Sequence, residues 1–156
     1  MVDYSFSKNF KSIIDTAFKQ LTEIGSLTII AVIIVFTYFY DKTLAYNIFI
    51  GVAAVTLISL IIKAVSYKSR PNKQKYHTLI ERIDASSFPS VHSARISILA
   101  FWLVLYSNIL LLKIFIILIA VLIAYSRIYL KKHYYSDVIA GIILAGIINV
   151  LMYLFI

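Results

Sequence analysis

Long apolar runs broken by short polar interruptions set the pattern of this chain. Residues 24–40, 43–62, 96–112 and 138–156 carry no charged side chain, and each of these windows is 17 to 20 residues long. A helix of that length crosses ~30 Å of hydrocarbon. Helices buried in a water-soluble bundle keep a polar outer face, and these windows have almost nothing polar to supply one. The pattern predicts an all-α, integral membrane helical bundle.

The interruptions set the boundaries. A first spanning helix is expected over about 25–40, closed by the polar turn Asp41-Lys42-Thr43. A second runs over about 44–66 and ends ahead of Arg70-Pro71, because the residue before proline is pushed out of the helical region. Residues 71–89 read as a polar loop with Lys73, Lys75, His77, Glu81, Arg82 and Asp84. A third helix starts near Pro89-Ser90 and ends near the turn Ser107-Asn108. A fourth covers about 109–130, and a fifth runs from Ser136 to the end. Residues 1–23 differ. Phe6, Phe10, Ile13, Ile14, Phe18 and Leu21 recur at helical spacing, with Lys8, Lys11, Asp15 and Lys19 between them. Such an amphipathic helix lies in the membrane interface or packs against the bundle. The expected organisation is an interfacial helix over 1–23 and a transmembrane domain over 24–156, with five spanning helices and no internal repeat.

Composition sharpens this reading. The chain is 62% hydrophobic and 14% charged over 156 residues, far from a soluble average. It has no cysteine, which excludes disulfides and thiol chemistry. The first 22 residues lack the apolar core and cleavage site of a secretory leader. The net charge is +8. The cations sit at the ends of apolar runs, which suits lipid phosphates and argues against a nucleic-acid partner.

Alternating helix direction puts the end of the second helix, the start of the third, the end of the fourth and the start of the fifth on one side. That side carries 13 of the 15 Lys and Arg, and only Lys42 and Lys113 fall opposite. It also gathers "KAVSYKSRP" (63–71), "SSFPSVHSAR" (86–95) and "SRIYLKKHYYSDVIAG" (126–141). Ionisable groups against a membrane are costly and mark function. Taken singly, Lys63, Arg70 and Arg127 read as helix-end cations snorkelling to headgroups. Together with the Ser90 hydroxyl they suit a phosphoryl group, whose charge spreads over three oxygens at the transition state. His92 and His133 offer a general acid and a nucleophile. His133 and Asp137 are four apart and neighbours if that segment is helical. A carboxylate on one ring nitrogen fixes the tautomer and frees the other to attack. His133 is therefore the expected nucleophile, Asp137 its orienter and His92 the acid. Pro89 fits a first helical turn, whose free N–H groups, with Ser90, would cradle the phosphate.

The three stretches resemble the signature of the type 2 phosphatidic acid phosphatase (PAP2) superfamily. "KAVSYKSRP" matches K-x6-R-P, "PSVH" is similar to P-S-G-H, and "SRIYLKKHYYSD" matches S-R-x5-H-x3-D. They span residues 63–137, about half the chain. The resemblance implies a membrane lipid phosphatase working through a phosphohistidine on His133. Lys63, Arg70, Ser90 and Arg127 would hold the oxygens, His92 would protonate the leaving group, and no metal or other cofactor would be needed. It implies a lipid phosphate as substrate, with polyprenyl diphosphate favoured and phosphatidic acid or phosphatidylglycerophosphate as the alternative. A non-catalytic lipid-phosphate binding or transport protein is disfavoured, because His92, His133 and Asp137 are all present. Haloperoxidase chemistry belongs to soluble members of the superfamily.

There are two departures from the family pattern. Val91 stands where the family usually has glycine, and five spanning helices replace the common six. Lys68, Lys73, Lys75, Arg82 and Arg95 read as a general attraction to anionic headgroups ahead of a site for a second phosphate. Lys131 and Lys132 read as interfacial anchors, His77 as solvated, and Tyr38, Tyr40, Tyr125, Tyr129, Tyr134 and Tyr135 as an aromatic belt. The expected location is the cell membrane, multi-pass. The excess of cations places the site in the cytoplasm, whereas many polyprenyl diphosphate members of the family face outward, so the side stays open.

Overall fold

The computed structural model of the chain describes residues 4–72 and 74–155. They form seven helices: α1 (Tyr4–Glu23), α2 (Leu27–Tyr40), α3 (Lys42–Val65), α4 (Leu79–Ala85), α5 (Val91–Tyr106), α6 (Leu110–Tyr129) and α7 (Tyr135–Phe155). Lys73, a candidate headgroup contact, lies outside the described residues.

Caps divide the helices where the sequence turns polar. The Ser26 hydroxyl accepts from the Ile29 N–H at 3.3 Å and starts α2. Asp41 works in two directions: its N–H donates to Thr37 O, ending α2, and its carboxylate accepts from Leu44 N at 2.9 Å, starting α3. The expected loop over 71–89 contains α4, started by a capping box in which Thr78 accepts from Glu81 N and the Glu81 carboxylate reaches back to Thr78 N. The Thr-x-x-Glu spacing carries that signal in the sequence. Helix α5 starts at Val91 with Ser90 as its cap, so Pro89 precedes the helix and does not occupy its first turn.

Helix α5 sits at the centre, against α3, α6 and α7; α2 packs on α3, and α1 on α6. The core runs through Ile48, Val55, Ile98, Trp102, Ile123 and Met152. Glycines allow two close approaches. A Cβ on Gly51 would stand 2.7 Å from Ile98, and one on Gly141 would stand 2.5 Å from the Ser90 carbonyl oxygen. Outward, large apolar side chains such as Leu57, Phe115, Leu118 and Ile143 lie exposed around the bundle. In water so wide an apolar surface would aggregate; against lipid it is the ordinary outer face.

Length and composition qualify α3, α6 and α7 singly as spans, and α1 with α2 as one span bent by 53°. Five spans were expected. Helix α2 has 14 residues and α5 has 16, or about 21 and 24 Å at ~1.5 Å per residue, short of a full crossing. Surrounded by other helices, α5 meets protein along much of its length, so its own reach is not set by lipid. Helix α1 lies along α6: Phe18 stacks on Tyr129 with centroids 4.4 Å apart, and the Tyr129 hydroxyl donates to Asp15 at 2.7 Å. Tyr129 therefore docks α1 and is not simply part of an aromatic belt.

Candidate active site

The polar ends of α3, α5, α6 and α7 meet as the alternation of helices requires, and α4 lies beside them. A cavity of about 470 Å³ opens there. Lys63, Arg70, Arg127, His92 and His133 line it, with Val91, Arg95 and Asp84, and with Leu60, Ile80 and Ile83 as an apolar part of the wall. Lys63, Arg127, His133 and Asp137 are 5, 7, 3 and 0% exposed.

Each cation is held by a contact from another element of the chain, Arg70 also by a near neighbour. The Lys63 ammonium, in the last turn of α3, donates to Ser86 O at 2.6 Å. Arg70 donates to Asp84 O and to the Gln74 side-chain oxygen, which ties the 66–78 loop to α4. Arg127, in the last turn of α6, donates to the Thr22 hydroxyl at 2.7 Å. The Nε atoms of Arg70 and Arg127 are buried without a partner. Among the described residues no carboxylate lies within ion-pair range of Lys63, Arg70, Arg95 or Arg127. With Asp84 the one carboxylate on the wall among the described residues, this excess of positive charge in a partly apolar cavity calls for an anion.

His133 occupies the turn between α6 and α7. Lys131 there takes φ 53°, and the N–H groups of Lys132 and His133 both return to Arg127 O, at 3.0 and 3.1 Å. The turn thus fixes His133 beside Arg127. Its Nδ1 lies 2.7 Å from Ser87 O. A carbonyl only accepts, so Nδ1 carries the proton and Nε2 keeps its lone pair. Burial first, and then the charges of Arg127 and Lys63, hold the His133 pKa far below the ordinary histidine value, at about 2. The ring is neutral and nucleophilic through the physiological range.

Asp137 was expected to orient His133. Its Oδ2 stands 3.9 Å from His133 Nδ1, beyond a hydrogen bond, and the Ser87 carbonyl takes that place. The carboxylate instead accepts from Tyr134 N at 2.9 Å and from the Lys68 ammonium at 2.5 Å, at the N-terminus of α7. The spacing argument assumed a helix through 133–137, whereas α7 begins at Tyr135. Ser90 departs from expectation too. It is fully buried, it does not line the cavity, and its hydroxyl pairs with Ser93 at 2.8 Å. What α5 brings to the cavity is its first turn, with Val91 and His92 on the wall and N–H groups that have no partner inside the helix. His92 makes no side-chain hydrogen bond among the described residues.

The sequence model of the PAP2 superfamily matches residues 44–156, which include every one of these groups except Thr22. The chain belongs to the PAP2 superfamily. It is a phosphatase of that superfamily, with the superfamily's helical membrane fold. Among solved structures it is similar to Aquifex aeolicus LpxE, with a TM-score of 0.77 and 23% identity over 92% of this chain and 87% of that one. It is also similar to the first transmembrane PAP2 type phosphatidylglycerolphosphate phosphatase from Bacillus subtilis, with a TM-score of 0.73 and 24% identity over 91% of this chain and 76% of that one. Comparison with curated proteins gives no significant match.

Within the PAP2 site, sequence reasoning missed Ser87, Thr22 and the pairing of Lys68 with Asp137. Ser87 acts through its carbonyl, which any residue carries, so its identity held no signal. Thr22 stands 105 positions from Arg127. Lys68 was read as a headgroup contact, and only the fold brings it to Asp137.

Proposed function

We propose that this PAP2 phosphatase hydrolyses the phosphate of a lipid through a phosphohistidine on His133, with polyprenyl diphosphate as the favoured substrate. The observation that carries the reading is the Ser87 carbonyl on Nδ1, which leaves Nε2 of a neutral His133 available in a cavity lined by cations. Nε2 attacks phosphorus. The bond to the leaving oxygen breaks, and that oxygen takes a proton from His92, which is charged once the substrate phosphate offsets Arg127, Arg95, Lys63 and Arg70 around it. Water then attacks the phosphohistidine, His92 accepts its proton, the P–N bond breaks and inorganic phosphate leaves. Lys63, Arg70, Arg127 and the first turn of α5 stabilise the charge on the three oxygens. Asp137, paired with Lys68, holds the start of α7 and with it the turn that carries His133. The substrate tail leaves along the apolar wall of Leu60, Ile80 and Ile83.

Phosphatidylglycerophosphate or phosphatidic acid is the second reading, favoured by the fold shared with the Bacillus subtilis phosphatase. The test is phosphate release in detergent with EDTA present, comparing a polyprenyl diphosphate with both glycerolipids. Release that resists EDTA, is fastest on the diphosphate and is lost in His133→Ala is the expected result. Faster release from a glycerolipid selects the second reading. Lipid binding without release by the folded protein would mean a binding protein.

A further inference from the structure

Five cations beyond the phosphate clamp, Lys68, Lys73, Lys75, Arg82 and Arg95, read in the sequence as general headgroup contacts ahead of a site for a second phosphate, and the structure separates them. Lys68 is taken up by Asp137. Arg82 lies over the Tyr67 ring, 5.7 Å from its centroid. Lys75 is exposed and lines a neighbouring pocket beside α4, which shares Ile80 and Asp84 with the cavity wall but does not include the histidines. Lys73 is outside the described residues. Arg95 alone of the described four lines the cavity that holds His92 and His133.

Its position is informative. Arg95 follows His92 by three residues on α5, one turn further from the helix start and so deeper toward the apolar part of the bundle. Its Nε donates to the Thr56 hydroxyl of α3 at 2.9 Å. Its terminal nitrogens have no hydrogen-bond partner among the described residues, and no carboxylate lies within ion-pair range. An arginine at that depth is costly, and one neutral hydroxyl does not offset it. The contact also fixes the guanidinium plane while leaving the fork of two terminal nitrogens for an anion.

We propose that Arg95 binds the second phosphate of a diphosphate substrate, the one that departs with the lipid. In phosphoryl transfer the attacking and leaving atoms lie roughly in line. With His133 on one side of the terminal phosphorus, the bridging oxygen meets His92 on the other. The group attached to that oxygen comes next along α5, at Arg95. The P–O bond to the bridging oxygen breaks, its electron pair stays with the lipid monophosphate, and the proton comes from His92. This assignment rests on the diphosphate reading above and makes Arg95 a specificity residue: a monophosphate ester places no anion there.

The test uses the full-length enzyme in detergent with two probes of identical tail, farnesyl diphosphate and farnesyl monophosphate. Arg95→Met should lower kcat/KM at least tenfold on the diphosphate and less than threefold on the monophosphate. Arg95→Lys should recover part of the diphosphate rate. Thr56→Val, which frees the guanidinium plane but keeps its charge, should lower kcat/KM on the diphosphate by a smaller factor than Arg95→Met and leave the monophosphate within twofold of wild type. Should Arg95→Met not fold, the same ratio read on Arg95→Lys decides. Equal losses on both probes would make Arg95 a structural tie between α5 and α3 and overturn the proposal, leaving the diphosphate reading in place. A wild-type enzyme that hydrolyses only the monophosphate would overturn both.

Discussion

The two ends of the bundle use their polar residues differently. At the end away from the site, partners are near neighbours in sequence. Asp41 caps Leu44 three residues on, the Lys42 ammonium lies 5.7 Å from the Tyr38 ring, and the Ser107 hydroxyl accepts from Ile109 N at 3.2 Å. At the site end local contacts such as Arg70 with Gln74 and Tyr134 N with Asp137 are joined by long-range ones, with separations of 23 residues for Lys63 and Ser86, 46 for His133 and Ser87, 69 for Lys68 and Asp137, and 105 for Arg127 and Thr22. The far corner is a set of caps, each working alone. The site end is one network of buried charge that exists only once α1, α3, the α4–α5 link, α6 and α7 are assembled. Substitutions at the first should act singly and on stability. Those at the second should act on chemistry and fail to add.

The largest effect should come from His133→Ala, which removes the nucleophile and should lower kcat by roughly 10⁴-fold or more, measured as phosphate release. Arg127→Ala should cost about 10²- to 10³-fold, the scale of losing one charge-stabilising donor. Arg127→Lys should recover only part, because an ammonium cannot reproduce the bidentate fork. Asp137→Asn and Lys68→Met should each lower kcat about tenfold, a second-layer effect. The double variant should be little worse than either alone, since both break one ion pair. Independent losses that multiply would contradict the network.

A pH titration sharpens the contrast. With its pKa depressed to about 2, His133 should stay neutral by NMR as pH falls through ~6.5, where an ordinary histidine protonates. The sign for stability follows: the unfolded chain takes up this proton below ~6.5 and the folded chain does not, so lowering the pH from ~6.5 toward 2 favours unfolding. The smallest effect on chemistry should come from the far end. Asp41→Ala should cost about 1 kcal/mol of stability as a lost cap and leave kcat/KM within twofold.

This contrast also explains what could be read in advance. Helix boundaries followed from charge-free windows and local caps, so the elements from α2 to α7 lie close to expectation, α4 excepted. Its capping box at Thr78 and Glu81 was present in the sequence and went unused. The cavity residues Lys63, Arg70, His92, Arg127 and His133 were legible because helix alternation brings three separate stretches to one side. Their partners were not. Spacing alone gave Asp137 to His133, but where α7 starts decides that geometry, and a backbone carbonyl took the role. Ser90 looked like a phosphate ligand beside Pro89, yet a buried hydroxyl at a helix start serves the helix first, here with Ser93.

The most direct test of the account is to trap the intermediate. Enzyme mixed with a lipid diphosphate labelled in its terminal phosphate, quenched at alkaline pH within one turnover and mapped by mass spectrometry, should carry an acid-labile phosphate on His133, absent from His133→Ala. A label on any other residue, or turnover with no covalent phosphate at all, would contradict nucleophilic attack by His133.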